Sequence, residues 1–116
     1  VSGPFHTSLM QPAADKLAKD MEDVDFNSPQ IPVIHNITVS AETDPAVIKQ
    51  LMIRQITGPV PWVSTVEKLA EMGVQTLVEC GPGRVLSGLN RRILRDLDNQ
   101  ATDTLDTLQA AVSATK

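Results

Sequence analysis

Apolar residues recur at helical spacing in five stretches of the chain, separated by glycine, proline and short polar residues. The predicted helical faces run from Met10 to Met21, from Ile48 to Met52, from Trp62 to Ala70, from Leu86 to Leu97 and from Leu105 to Val112. Asp44 with Pro45 behind it is a typical helix start, and Gly58 is a typical stop. Thr7 and Ser8 are good capping residues for the first helix.

Two other stretches are rich in β-branched residues and predict strands, Ile31 to Val39 and Val74 to Cys80. The first is apolar at both alternating sets of positions, which is typical of a sheet covered on both faces. Strands separated by helices favour a parallel sheet with right-handed crossovers. Sheets usually have about 4–6 strands. We therefore predict an α/β fold whose remaining strands lie in polypeptide outside this chain.

Composition narrows the classes of function. The chain has 116 residues, 41% of them apolar, a net charge of −4 and three aromatic side chains. Acidic charge and few aromatics argue against binding nucleic acid, and no apolar run is long enough to span a membrane. The single cysteine, Cys80, indicates a reducing compartment such as the cytoplasm. Because the sequence opens at Val1 rather than methionine, we expect it to begin in mid-protein.

His6 and Gln55 are the candidate pair for acid–base chemistry. His6 follows a Gly-Pro turn and precedes a helix, and an imidazole there could accept and return a proton near neutral pH. Local sequence favours the alternative, an ordinary helix-start histidine bonded to a nearby carbonyl. Gln55 is in phase with an apolar helix face, so its amide or backbone carbonyl could orient an imidazole, or its amide could satisfy carbonyls at the helix end.

Cys80 and the turn Gly81-Pro82-Gly83 are a second candidate site, because a cysteine before a helix N-terminus could be a reactive thiolate. The same turn could bind an anion. The alternatives are a small buried apolar residue at Cys80 and a tight strand-to-helix turn. His35 alternates with apolar residues, which indicates a hydrogen-bonded histidine on a packed face. No partner at metal-ligand spacing accompanies it, so we predict no metal site.

Taken together and in order, five segments resemble the malonyl-CoA:acyl carrier protein transacylase family of fatty-acid synthesis. They are VSGPFHTSLMQPAADKL, HNITV, LMIRQ, GPVPWVSTVEKLAEMGV and VECGPGRVLSGLNRRI. The resemblance implies an α/β-hydrolase-like core, with residues 1–116 as the carboxy-terminal part of the acyltransferase core domain. The small ferredoxin-like subdomain and the nucleophile elbow would then lie upstream of this chain.

The resemblance also implies roles for individual residues. In the family a serine in a Gly-His-Ser-Leu-Gly elbow takes malonyl from coenzyme A and passes it to the phosphopantetheine thiol of acyl carrier protein. His6 matches the histidine that activates this serine, and Gln55 matches the position whose backbone carbonyl orients the ring. Phe5, just before the histidine, favours malonyl over methylmalonyl. No cofactor or metal is implied.

The serine elbow, the malonyl-binding arginine and the oxyanion hole are absent from this sequence. We therefore expect no transacylase activity from the chain alone, and we expect its missing amino-terminal portion as a partner beside acyl carrier protein and the coenzyme A thioester. Two alternatives are a non-catalytic interaction module and a thiol enzyme that uses Cys80 with His6 as its base. The transacylase hypothesis requires the His6 ring within about 4 Å of the Gln55 carbonyl, and large exposed apolar faces on the isolated chain.

Overall fold

The computed structural model describes residues 3–116, so Val1 and Ser2, the start of the predicted first turn, lie outside the described residues. The chain divides into two compact units, one ending at Thr65 and the other running from Val66 to Lys116. No helix described for residues 3–116 is long and apolar enough to cross a membrane.

The first unit is built mainly from helices. A 3-10 helix, Ser8–Met10, leads into α1, Gln11–Asp20, and α2 covers Pro45–Arg54. The predicted start of α2 is confirmed, because the Asp44 side chain accepts a hydrogen bond from the Ala46 amide at 2.9 Å and Pro45 occupies the first turn. Helices α1 and α2 contact one another. They bury four apolar side chains, Ala14, Met21, Ile48 and Leu51.

The predicted strand Ile31 to Val39 is wrong over most of its length. Within this stretch only β1, Ile34–His35, is a strand, and it pairs antiparallel with β2, Ser40–Ala41. A turn occupies residues 36–39 and places Val39 at a φ of 53°, while the Val39 amide donates to the His35 carbonyl at 2.9 Å. Pro32 has no amide hydrogen to donate to a neighbouring strand, so its presence argues against a long strand here.

The predicted helix from Trp62 to Ala70 is confirmed as α3, Trp62–Glu71. The division between the two units falls within it. At the end of α2, Gly58 donates its amide to the Arg54 carbonyl at 3.0 Å. A Cβ at Gly58 would overlap the Ile37 side chain. A residue with a Cβ at this position would therefore require the Ile37 side chain to move.

The second unit contains the parallel sheet, but not between the two strands that the sequence predicts. Strand β3, Thr76–Glu79, lies within the predicted stretch and pairs with β4, Asp98–Ala101, in the register Thr76↔Asp98 to Glu79↔Ala101. β4 was missed because it is polar. Helices α4, Val85–Ile93, and α5, Leu105–Ala114, both contact β4. α4 ends before Leu97, which was expected on its apolar face.

The chain leaves many large apolar side chains in solvent. Leu9, Ile31, Val85 and Leu105 are each at least 70% exposed, while Val66 is the largest fully buried side chain. These exposed side chains agree with the expectation that polypeptide outside these residues completes the core.

Candidate active site

His6 lies in a tight turn immediately before the 3-10 helix, and its side chain is exposed. Its backbone has a φ of 60°, a left-handed conformation that costs a residue with a Cβ about 1–2 kcal/mol. The turn is closed by the Thr7 hydroxyl, which donates to the Pro4 carbonyl at 2.7 Å. A strained backbone at a histidine indicates that the surrounding structure, and not local preference, sets the direction of the ring.

Gln55 is the residue that closes the C-terminus of α2, and it is half-buried. Its amide donates to the Leu51 carbonyl at 3.0 Å, which continues the helical pattern. The last carbonyls of a helix have no partner within the helix and remain free to accept from elsewhere. The Gln55 carbonyl uses this capacity for the ring of His6, whose Nδ1 lies 2.8 Å away.

This contact fixes the protonation pattern of the His6 ring. A carbonyl oxygen can only accept a hydrogen bond, so Nδ1 must carry the hydrogen and donate it. In the neutral ring Nε2 is then the acceptor, and the exposed ring can present it to a group from outside the chain. The structure thus brings together the two residues that the sequence singled out, within the distance that their predicted roles require.

A cleft of about 380 Å³ adjoins Gln55. Its walls come from α2 and from the segment leading into the β1–β2 hairpin, and they are lined by Asn27, Pro29, Val33, Ile34, His35, Asn36, Ile48, Met52 and Gln55. Within residues 3–116 the buried Nε2 of His35 has no hydrogen-bond partner. The expectation of a hydrogen-bonded His35 is therefore wrong for this atom. The sequence pattern predicted a packed position for His35, but no local pattern indicates the cleft.

The helix N-terminus that follows the turn Gly81-Pro82-Gly83 is occupied by a carboxylate of the same chain. Glu79 accepts hydrogen bonds from the Ser87 amide at 2.8 Å, the Ser87 hydroxyl at 2.9 Å and the Leu86 amide at 3.2 Å. Desolvation alone raises the pKa of the Glu79 carboxyl, but the hydrogen bonds from Ser87 and Leu86 outweigh it and lower that pKa below its ordinary value. This carboxylate fills the N-terminus of α4, so the structure favours the tight-turn interpretation over an anion site.

Cys80 is exposed, so the expectation of a small buried residue is wrong. The thiol follows the last paired residue of β3 and faces solvent instead of the core. In the part of the chain that the structure describes, its Sγ hydrogen-bonds only the Val78 carbonyl, at 3.9 Å. A carbonyl cannot take the thiol proton. Within the unit that carries Cys80, Val66–Lys116, the described hydrogen bonds therefore give the thiol no base.

Comparison with known proteins decides the family. No family model matches the sequence. The malonyl CoA-acyl carrier protein transacylase of Salmonella typhimurium is 44% identical over 113 residues, which are 97% of this chain and 37% of that protein. The one from Bacillus subtilis is 40% identical over the whole chain. The chain belongs to the malonyl CoA-acyl carrier protein transacylase family. The resemblance inferred from the sequence is confirmed.

Solved structures of the family give the same result. An acyl carrier protein S-malonyltransferase from Vibrio cholerae is 50% identical, with a TM-score of 0.87 over 96% of this chain and 36% of its own. A malonyl-transacylase in complex with a type II PKS acyl-carrier protein is 44% identical, with a TM-score of 0.89. The chain spans little more than a third of the length of these relatives. The predicted fold class, the carboxy-terminal part of an α/β acyltransferase core, is confirmed.

Proposed function

We propose that this chain supplies the general base of a malonyl-CoA:acyl carrier protein transacylase, with His6 as the base and the Gln55 carbonyl as the group that orients it. The observation that carries the proposal is the 2.8 Å contact between His6 Nδ1 and the Gln55 oxygen. It leaves Nε2 as the proton acceptor. The nucleophilic serine, the carboxylate-binding arginine and the oxyanion hole would come from the rest of the enzyme.

The proposed reaction is two acyl transfers through an acyl-serine ester, first from the coenzyme A thioester to the serine and then from the serine to the carrier-protein thiol. In the first, Nε2 takes the serine hydroxyl proton while the oxygen attacks the malonyl thioester, and the imidazolium then protonates the leaving coenzyme A thiolate. In the second, Nε2 takes the proton of the phosphopantetheine thiol, whose sulfur attacks the acyl-serine, and returns it to the serine oxygen. The base is regenerated. This chemistry requires no metal or cofactor.

A neutral carbonyl in place of a carboxylate changes the energetics of this base. It fixes the ring tautomer and orientation as an acid does, but it adds no full negative charge to stabilise the imidazolium. The C-terminal end of α2 supplies a smaller substitute, because the end of a helix carries about half a negative charge. This suits an acyl transfer in which the imidazolium soon gives up its proton, to the coenzyme A thiolate in the first step and to the serine oxygen in the second.

The substrates and partners are part of the same proposal. A relative solved in complex with an acyl-carrier protein supports a carrier protein as acceptor, and the names of the relatives support malonyl as the acyl group. Phe5, exposed beside His6, fits this preference. We also propose a cytoplasmic location, in keeping with the free thiol of Cys80.

The test is His6→Ala in the full-length protein that contains these residues, after its intact mass has shown that the serine-bearing portion is present. Loss of a general base lowers kcat for malonyl transfer by about 10²- to 10⁴-fold. Lys19→Ala, an exposed position on α1, is the control and leaves kcat unchanged. A His6→Ala enzyme within threefold of the parent would rule out the proposed role.

A further inference from the structure

Thr7 joins the turn that carries His6 to the helix that follows it. Its carbonyl accepts from the Met10 amide at 3.0 Å, which starts the 3-10 helix. Thr7 occupies the N-cap position of that helix, where a threonine side chain ordinarily accepts from a helix amide. Here it makes no such bond. Its hydroxyl donates backwards instead, to the Pro4 carbonyl at 2.7 Å.

The bond between Thr7 and Pro4 encloses Phe5 and His6. Pro4 restricts the backbone on one side of this pair through its ring, and the Thr7 hydroxyl closes the other side. The enclosed His6 has the left-handed φ of 60°, which is uncommon for a residue with a Cβ. From that conformation Nδ1 reaches an oxygen 49 positions further along the chain.

We propose that Thr7 is a positioning residue for the reaction. Its hydroxyl holds the turn closed and so keeps His6 in the left-handed conformation from which the ring contacts Gln55. Without that bond, residue 6 can relax to an ordinary negative φ and the ring leaves the carbonyl. The inference rests on the proposed role of His6 as the general base.

The experiment compares Thr7→Val with Thr7→Ser in the full-length enzyme. Valine has the shape of threonine without the donor, and serine keeps the donor without the methyl group. We expect Thr7→Val to lower kcat about fivefold, the change in population that loss of one exposed hydrogen bond produces. KM for both substrates and the unfolding midpoint should stay as in the parent, and Thr7→Ser should restore kcat to within twofold.

A second readout does not depend on activity. Nitrogen chemical shifts of the His6 ring report which nitrogen carries the hydrogen. We expect the Nδ1–H form in the parent and in Thr7→Ser, and a mixture of the two tautomers in Thr7→Val. If His6 is not the base, His6→Ala keeps its activity while this tautomer change still occurs. The two proposals can therefore fail separately.

Three results would overturn the role of Thr7. One is a Thr7→Val enzyme with the parent's kcat and tautomer. Another is an equal loss in Thr7→Ser and Thr7→Val, which would assign the effect to the methyl group. The third is a loss in Thr7→Val that follows a lower unfolding midpoint or a higher KM, which would mark general disruption of the turn.

Discussion

Two turns in this molecule each lead into a helix through backbone at positive φ. They differ in which residues adopt the positive φ and in which groups accept the hydrogen bonds of the turn. At the turn before α4, glycines hold the unusual angles, 126° at Gly81 and 80° at Gly83. At the turn before α1, a histidine holds 60°. The sequence of the glycine turn suggested an anion site or a reactive thiol. The structure nevertheless gives the histidine turn the stronger case for function.

The hydrogen bonds explain the difference. The glycine turn is closed by neighbours within its own unit: Glu79 caps α4, the Gly81 amide donates to the Thr102 hydroxyl at 3.0 Å, and that hydroxyl donates to the Glu79 carbonyl at 3.1 Å. In the histidine turn, Nδ1 of the ring donates to a carbonyl 49 positions away, which makes Nε2 the acceptor of the neutral ring. Strain at a residue with a side chain is therefore more informative than strain at glycine.

The largest expected effect is the loss of activity when His6 is replaced, tested with His6→Gly and His6→Ala in the full-length enzyme. Both variants lose the base, so both should lose about 10²- to 10⁴-fold in kcat. Glycine accepts the left-handed backbone, so His6→Gly should be more stable than His6→Ala by about 1 kcal/mol. Urea denaturation measures the difference, and an alanine variant that is the more stable of the two would show that residue 6 is not strained.

Removal of the Glu79 carboxylate comes next. Glu79→Ala leaves the first amides of α4 without their acceptor, and loss of a helix cap costs about 0.5–2 kcal/mol. Glu71→Ala, at an exposed position on α3, should change the free energy of unfolding by less than about 0.5 kcal/mol. Equal effects from the two variants in urea denaturation would show that the cap does not stabilise the turn.

Alanine at two glycines should give effects of opposite sign. Gly81→Ala places a Cβ on backbone at a φ of 126° with no atom within 4 Å, so its cost is conformational strain of about 1 kcal/mol. Gly88 lies within α4, and a Cβ there also meets nothing. Gly88→Ala should therefore stabilise by roughly as much, from helix propensity. Thermal midpoints that move in the same direction would contradict this.

The smallest effect is the pH dependence of the Glu79 cap. Its folded pKa is lowered, so its contribution is present above the ordinary glutamate pKa of about 4.3 and is lost as pH falls through the folded value. The stability difference between the parent and Glu79→Gln should be constant from neutral pH to about pH 5 and shrink below about pH 4. A difference that grows on acidification would mean that the folded pKa is raised.

Periodicity and capping residues predicted the helices because these depend on local sequence. The start of α2 follows from Asp44 and Pro45, and α5 starts at Leu105 as predicted. Strands were predicted less well. β4 carries Asp98, Asn99 and Gln100, and it is a strand because its backbone pairs with β3, a tertiary effect that overrides propensity.

The two members of the candidate site could be predicted only through the family resemblance. Local sequence favours neither His6 nor Gln55 over an ordinary structural role. Their contact spans 49 positions, and no local pattern reports such a separation. Two other features also depend on tertiary packing and could not be predicted from the sequence. They are the overlap of a Cβ at Gly58 with Ile37 and, within residues 3–116, the His35 nitrogen without a hydrogen-bond partner.

The separation of His6 from Gln55 also affects the order of folding. Bringing two groups 49 positions apart into contact requires closing a long loop, whose entropic cost a single exposed hydrogen bond does not offset. The contact should therefore form after α1 and α2 have packed together. The general base would then be assembled last and released first, so mild denaturant should abolish catalysis before it melts either helix.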